Sequence, residues 1–183
     1  MRTTLLTQFA VAAFVLLLAS PSQPRANEVS EPGQSKIAVP ENRFPKVGDD
    51  GPVRVSFDDL DLKSLKLDPT PLDVMDHLPD WMEKLDGKRI RIRGYMLPTF
   101  EAEGNRVFVL AEDNNIANFG RAVKVYELIN VRMSKGTTTK YLPRDPFDVE
   151  GTFHLVPPAP DDEVLIQLYE IRDAKIIPVP AKR

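Results

Sequence analysis

Residues 85–98 read LDGKRIRIRGYMLP, and their alternation leaves little choice of local fold. Ile90, Ile92, Gly94 and Met96 fall on one side of an extended segment, and Arg89, Arg91 and Arg93 fall on the other. A period of two marks a strand with one buried face. Asp86-Gly87 is a turn that launches it, and Pro98 ends it.

The same texture continues to the C-terminus. Strands are expected at 88–97, 106–111 and 125–133, with a hairpin turn at Ser134-Lys135-Gly136 and a return strand at 137–142. At 147–155, Phe147, Val149, Gly151 and Phe153 point inward, while Asp148, Glu150, Thr152 and His154 point outward. A last strand covers 164–177 and bends near Asp173. Consecutive strands with one apolar face each predict a mainly β chain: a small closed OB-like barrel of five to six strands, carrying a short helical N-terminal arm. Closure removes sheet edges that would otherwise recruit other chains. Gly94 and Gly151 fall where such strands must bend sharply. One departure from the usual OB pattern is a hairpin, rather than a helix, between the third and fourth strands.

Upstream of the barrel the texture changes. Residues 1–26 read as a signal peptide, with Arg2 at the positive end and an apolar run at 9–19. That run is too short for a bilayer, which needs about 20 residues, but suits a signal core. Small residues at Ser20 and Ser22 place a cut after Ser22, and a cut after Ala26 is the alternative; an uncleaved anchor is the competing reading. Residues 27–52 read as a disordered linker and 53–86 as an extended arm with short helices. Within the arm, Val53, Val55 and Phe57 alternate as a short strand, and leucines 60, 62, 65 and 67 fit neither period. Thr70-Pro71 opens one short helix with Leu72, Met75 and Leu78 on a face. A second, over 80–85, carries Trp81 and Leu85, with Trp81 as a plug or lid packing on the barrel. Residues 87–178 form the barrel domain.

Charge and cysteine content exclude several functions. The formal net charge is −3; beyond residue 26 there are 22 basic against 27 acidic residues, or −5. An acidic chain is a poor general nucleic-acid binder, because phosphates need a positive surface. There is no cysteine, which removes disulfides, thiolate nucleophiles, cysteine-ligated zinc and lipid attachment through cysteine. GxSxG, SxxK and phosphate-binding glycine loops are absent, so no catalytic or cofactor-binding residues are assigned.

Five blocks occur in order: DGKRIRIRGYMLP, RVFVLAEDN, NFG at 118–120, KGTTT at 135–139 and PFDVEGTF at 146–153. In these the chain resembles domain-of-unknown-function family 3299 (DUF3299), exported bacterial proteins, over about residues 85–174. The resemblance implies a cell-envelope location and a signal peptide, and carries no established activity. Relatives often have a cysteine in the loop before the FG block. Ala117 stands near that place here, which puts a thiol or metal role in question.

Candidate chemistry is sparse. The arginine stripe Arg89, Arg91, Arg93 offers guanidinium forks to an acidic envelope protein or an anionic polymer. Its structural reading is a ladder with Asp148 and Glu150 on a neighbouring strand, worth about 0.2–1 kcal/mol per pair. The loop 114–123, with Asn118, Phe119 and Arg121, is the second candidate contact. His154 with Asp148 and Glu150 is the best metal grouping, but three or four converging ligands are needed and a solvated face is the commoner case. Asp113-Asn114-Asn115 reads as a capped turn rather than a calcium loop. The leading expectation is a non-enzymatic binding or accessory module of the envelope, exported to the periplasm or beyond. It meets the membrane only if the signal stays uncleaved. The alternatives are a small hydrolase or metal-dependent enzyme using His154 and loop carboxylates, and a membrane-anchored scaffold.

Overall fold

The computed structural model describes residues 44–48, 50–115 and 122–177. The signal peptide, most of the linker, and Asn118, Phe119 and Arg121 lie outside them. Among the described residues there are six strands: β1 Val53–Arg54, β2 Arg89–Met96, β3 Val107–Ala111, β4 Leu128–Met133, β5 Phe147–Leu155 and β6 Tyr169–Ile177. Five close on themselves in the order β2-β3-β4-β6-β5 and back to β2, with β4 and β6 parallel. This is the expected small OB-like barrel.

β2 is the strand that makes closure work. Its first six residues pair antiparallel with β5, from Arg89↔Thr152 to Gly94↔Phe147, and its last two pair with β3. The early part of its β3-side edge is therefore open, and β1 fills it in parallel: Val53↔Ile90 and Arg54↔Arg91. The strand changes partners at Gly94, where a Cβ would lie 2.6 Å from the Ala111 carbonyl oxygen. Only a glycine lets the two backbones approach so closely. Gly151 plays the same part against β6, where a Cβ would fall 2.5 Å from Ile171. Opposite it the ladder slips by one residue, and Asp173 takes φ 50°, so the expected bend near Asp173 is a bulge.

The arm is part of the core. Leu60, Leu62, Val74 and Met82 are fully buried in one cluster with Ile90, Ile92, Val149 and Phe153. The buried Tyr169 hydroxyl on β6 donates to the Leu60 carbonyl at 2.9 Å. The short strand expected through Phe57 ends at Arg54, and Phe57 instead opens a helical turn, α1 (Phe57–Leu60), fixed by a capping box between Ser56 and Asp59. Residues assigned to the end of the linker are tied to one another and to the arm: Arg54 N–H donates to Pro45 at 2.8 Å, Val47 N–H to Pro52 at 2.9 Å, and Phe44 packs on Trp81 with ring centroids 5.4 Å apart.

Other expectations need correction. The helix expected from Thr70 is a 3-10 turn at Val74–His77; Val74 is buried and Leu72 exposed. The next helix, expected over 80–85, is the shorter α2 (Asp80–Glu83); it buries Met82, and Trp81 packs partly covered against the core, in keeping with a plug or lid. No return strand forms at 137–142. Gly136, at φ 79°, does make the turn, but β4 already has β3 on one edge and β6 on the other. The chain instead bridges to the β2–β3 loop through Asn105↔Thr139 and the Tyr141 N–H on Ala102. Val125–Glu127 is a 3-10 turn ahead of β4. β6 begins at Tyr169, not Val164, because its partner β5 ends at Leu155, opposite Tyr169; Val164 and Ile166 are exposed.

Candidate functional site

Strand pairing puts the arginine stripe beside acids. Arg91 stands opposite Glu150, and Arg93 opposite Asp148, across the β2–β5 ladder. Glu150 accepts from Arg89 Nη2 at 3.0 Å and from Arg91 Nη2 at 2.8 Å. Asp148 accepts from Arg93 Nε at 2.8 Å. It also takes both Nη groups of Arg54, at 2.8 and 3.3 Å, which reaches over β2 from β1. Two carboxylates thus hold four guanidinium groups.

The pattern continues beyond β2. On β6, Glu170 lies between Arg172 at 2.7 Å and Arg132 of β4 at 3.4 Å. The bulge at Asp173 shifts the alternation, so Lys175, three residues after Arg172, stands beside Glu150 on the same outward face. Seven cations (the six arginines and Lys175) therefore share this ladder with three carboxylates. They are also layered. Side chains of Asp148, Glu150 and Glu170 are 8 to 16% exposed, whereas Arg89, Arg93, Arg132 and Arg172 are 46 to 61% exposed. The acids form the floor and the guanidinium heads face water. Arg91, more enclosed, leaves its Nε buried without a hydrogen-bond partner.

The carboxylates are held charged. Burial pushes Asp148 toward protonation, but hydrogen bonds from Arg93 and Arg54 outweigh it and bring its pKa below the ordinary 3.8. Hydrogen bonding from Arg91 lowers Glu150 below 4.5 against its partial burial. Shallow hollows of about 280 Å³ flank Arg93: one is lined by Arg54, Ser56 and Asp59, the other by Phe57, Tyr95 and Glu112.

The other groupings separate. His154 turns to Asp86 at 3.2 Å, and its expected partners Asp148 and Glu150 are engaged by arginines. His77 sits on the arm, 3.3 Å from Asp73. Among the described residues no three His, Asp or Glu side chains converge as metal ligands. Asp113 accepts the Asn115 N–H at 2.7 Å, the capped turn expected there. Glu112 has its pKa raised, first by burial and then by Glu127, Asp58, Asp113 and Asp61. Sequence reading missed Arg54, Arg132, Glu170, Arg172 and Lys175. The alternation in YEIR was a signal for Glu170 and Arg172; the bulge that brings in Lys175 had none.

A solved structure of a DUF3299 family protein from Pseudomonas aeruginosa PAO1 resembles the chain, with 17% identity and a TM-score of 0.47. The match covers 73% of this chain and 99% of that one. No family model and no curated protein matches.

Proposed function

We propose that the chain is an exported, non-enzymatic binding module that holds an anionic partner on the outer face of β2, β5 and β6. The observation carrying this is the layering: half-exposed guanidinium groups, in excess, over nearly buried carboxylates. Carboxylates placed beneath fix the arginines without cancelling them, and arginine forks fit carboxylate and phosphate oxyanions. A surplus of one charge on one face of a chain whose net charge is −3 is an asymmetry suited to steering an opposite charge. The apolar run at 9–19 supports export.

Cation-exchange chromatography at neutral pH tests the face. The protein should be retained despite its negative net charge, and Arg89→Gln with Arg93→Gln should elute at clearly lower salt than Lys140→Gln. Passage through the column unretained would refute the reading. Export is checked by the N-terminal residue of the processed protein, expected between 19 and 27; a chain still starting at Met1 argues for an anchor.

A further inference from the structure

We infer that the anionic partner is a linear polyol phosphate, a phosphodiester polymer without bases, lying along β2, with successive phosphates on Arg89, on Arg91 with Arg54, and on Arg93. This rests on the anionic-partner reading and narrows it. Alternate residues of a strand recur about every 6.7 Å, so the three β2 arginines form a row about 13 Å long. Backbone of three bonds per residue extends about 3.3–3.6 Å, so charges six bonds apart in an extended polymer recur at about 7 Å. A phosphodiester joined through three-carbon units has that repeat.

Three observations select this class. First, the row is pre-set. Glu150 and Asp148 hold the arginine heads at 2.8 to 3.0 Å, so little side-chain freedom is lost on binding. Second, an acidic peptide cannot add as a strand. Both edges of β2 are occupied, by β1 and β3 on one side and β5 on the other. Recognition must then run through side chains alone, which suits a polymer whose every unit carries charge. Third, beyond its arginines the outward face of β2 carries one ring, Tyr95, and the outward positions of β5 and β6 carry Asp148, Glu150, Thr152, His154, Glu170 and Arg172. They supply no run of aromatic rings on which successive bases of single-stranded nucleic acid would stack. A polyol phosphate needs no such rings.

Four probes of matched charge decide it, by calorimetry on the mature protein: a glycerol-phosphate hexamer, a single-stranded oligonucleotide, poly-glutamate, and vesicles rich in anionic phospholipid. The hexamer should bind more tightly than the others. Arg89→Gln and Arg93→Gln should each weaken it about tenfold, and Lys140→Gln should not. The log–log salt slope should be about −2 for three phosphates, and shallower by about 0.7 in each arginine variant. Unchanged urea midpoints in the variants would show that the face, not the fold, was altered. If the oligonucleotide, poly-glutamate or vesicles bind as well as the hexamer, and lose affinity in the same variants, the polyol-phosphate assignment falls while the anionic-partner reading stands. If no probe binds, or binding ignores both arginines, both fall.

Discussion

Adjacent residues on β2 have opposite duties, and single substitutions separate them. Ile92 is fully buried opposite Val149; Ile92→Ala removes packed atoms and leaves a cavity, at a cost of about 2–5 kcal/mol. Arg91 is an outward residue sharing Glu150 with Arg89. Arg91→Ala should cost about 1 kcal/mol, since Glu150 keeps one partner. Gly94→Ala belongs with the core changes. The added methyl would meet the Ala111 carbonyl at 2.6 Å and Leu110 at 2.8 Å, and the forced shift should cost about 1–3 kcal/mol. Urea unfolding of the three variants checks the order; an Arg91→Ala loss equal to that of Ile92→Ala would reverse the face assignment. This much was legible in the sequence, because a period of two sorts neighbours into inside and outside without tertiary knowledge. The pairing of Arg91 and Arg93 with Glu150 and Asp148 was legible too, since both strands show opposite charges on their outer faces. Arg54 was not. Its contact spans 94 positions, and no local pattern reports which strand a distant arginine crosses.

At the scale of elements, the bounds of β5 were readable because nine residues alternate without interruption. The absent return strand at 137–142 was not, because the turn and composition there suit a hairpin. Only the closed topology shows that β4 has no edge left. The arm likewise looked like an appendage, as its leucines follow no single period. Its short turns each bury one or two side chains against the barrel, so no helix is long enough to display one. The Tyr169–Leu60 hydrogen bond gives a direct test of that docking. Both groups are buried, so Tyr169→Phe strands the Leu60 carbonyl without its donor while keeping the ring against Phe153. The expected loss is about 1–3 kcal/mol, with faster proteolysis inside 53–67 than in the barrel strands. If stability is unchanged, the arm contributes little to the common core.

At the scale of the described molecule, two groups of charge adjoin at Arg93: the arginine ladder on the outer face of β2 and β6, and the carboxylates around Glu112, which lines a hollow beside Arg93. The two regions give pH responses of opposite sign. Asp148 and Glu150 have pKa values below their ordinary 3.8 and 4.5. A group depressed in the folded state adds stability above its unfolded pKa, and that stability is lost as pH falls through the folded one. Glu112 is raised above 4.5. Its ionisation therefore opposes folding, and protonating it on the way down in pH relieves that opposition. Glu112 keeps far more of its surface in water than the ladder carboxylates, so its partial burial raises its pKa while solvent and salt reduce its effect on stability. The ladder must win at low pH. Urea midpoints measured from about pH 8 to pH 3 should rise slightly on mild acidification, then fall as the pH drops below the ordinary carboxylate range. In Glu112→Gln the early rise should disappear. Asp148→Asn should start less stable, because Arg54 and Arg93 lose their charged partner, and its acid decline should be shallower than that of the wild type. An equally steep acid limb in Asp148→Asn would mean that the four-arginine ladder does not set the acid sensitivity of the fold.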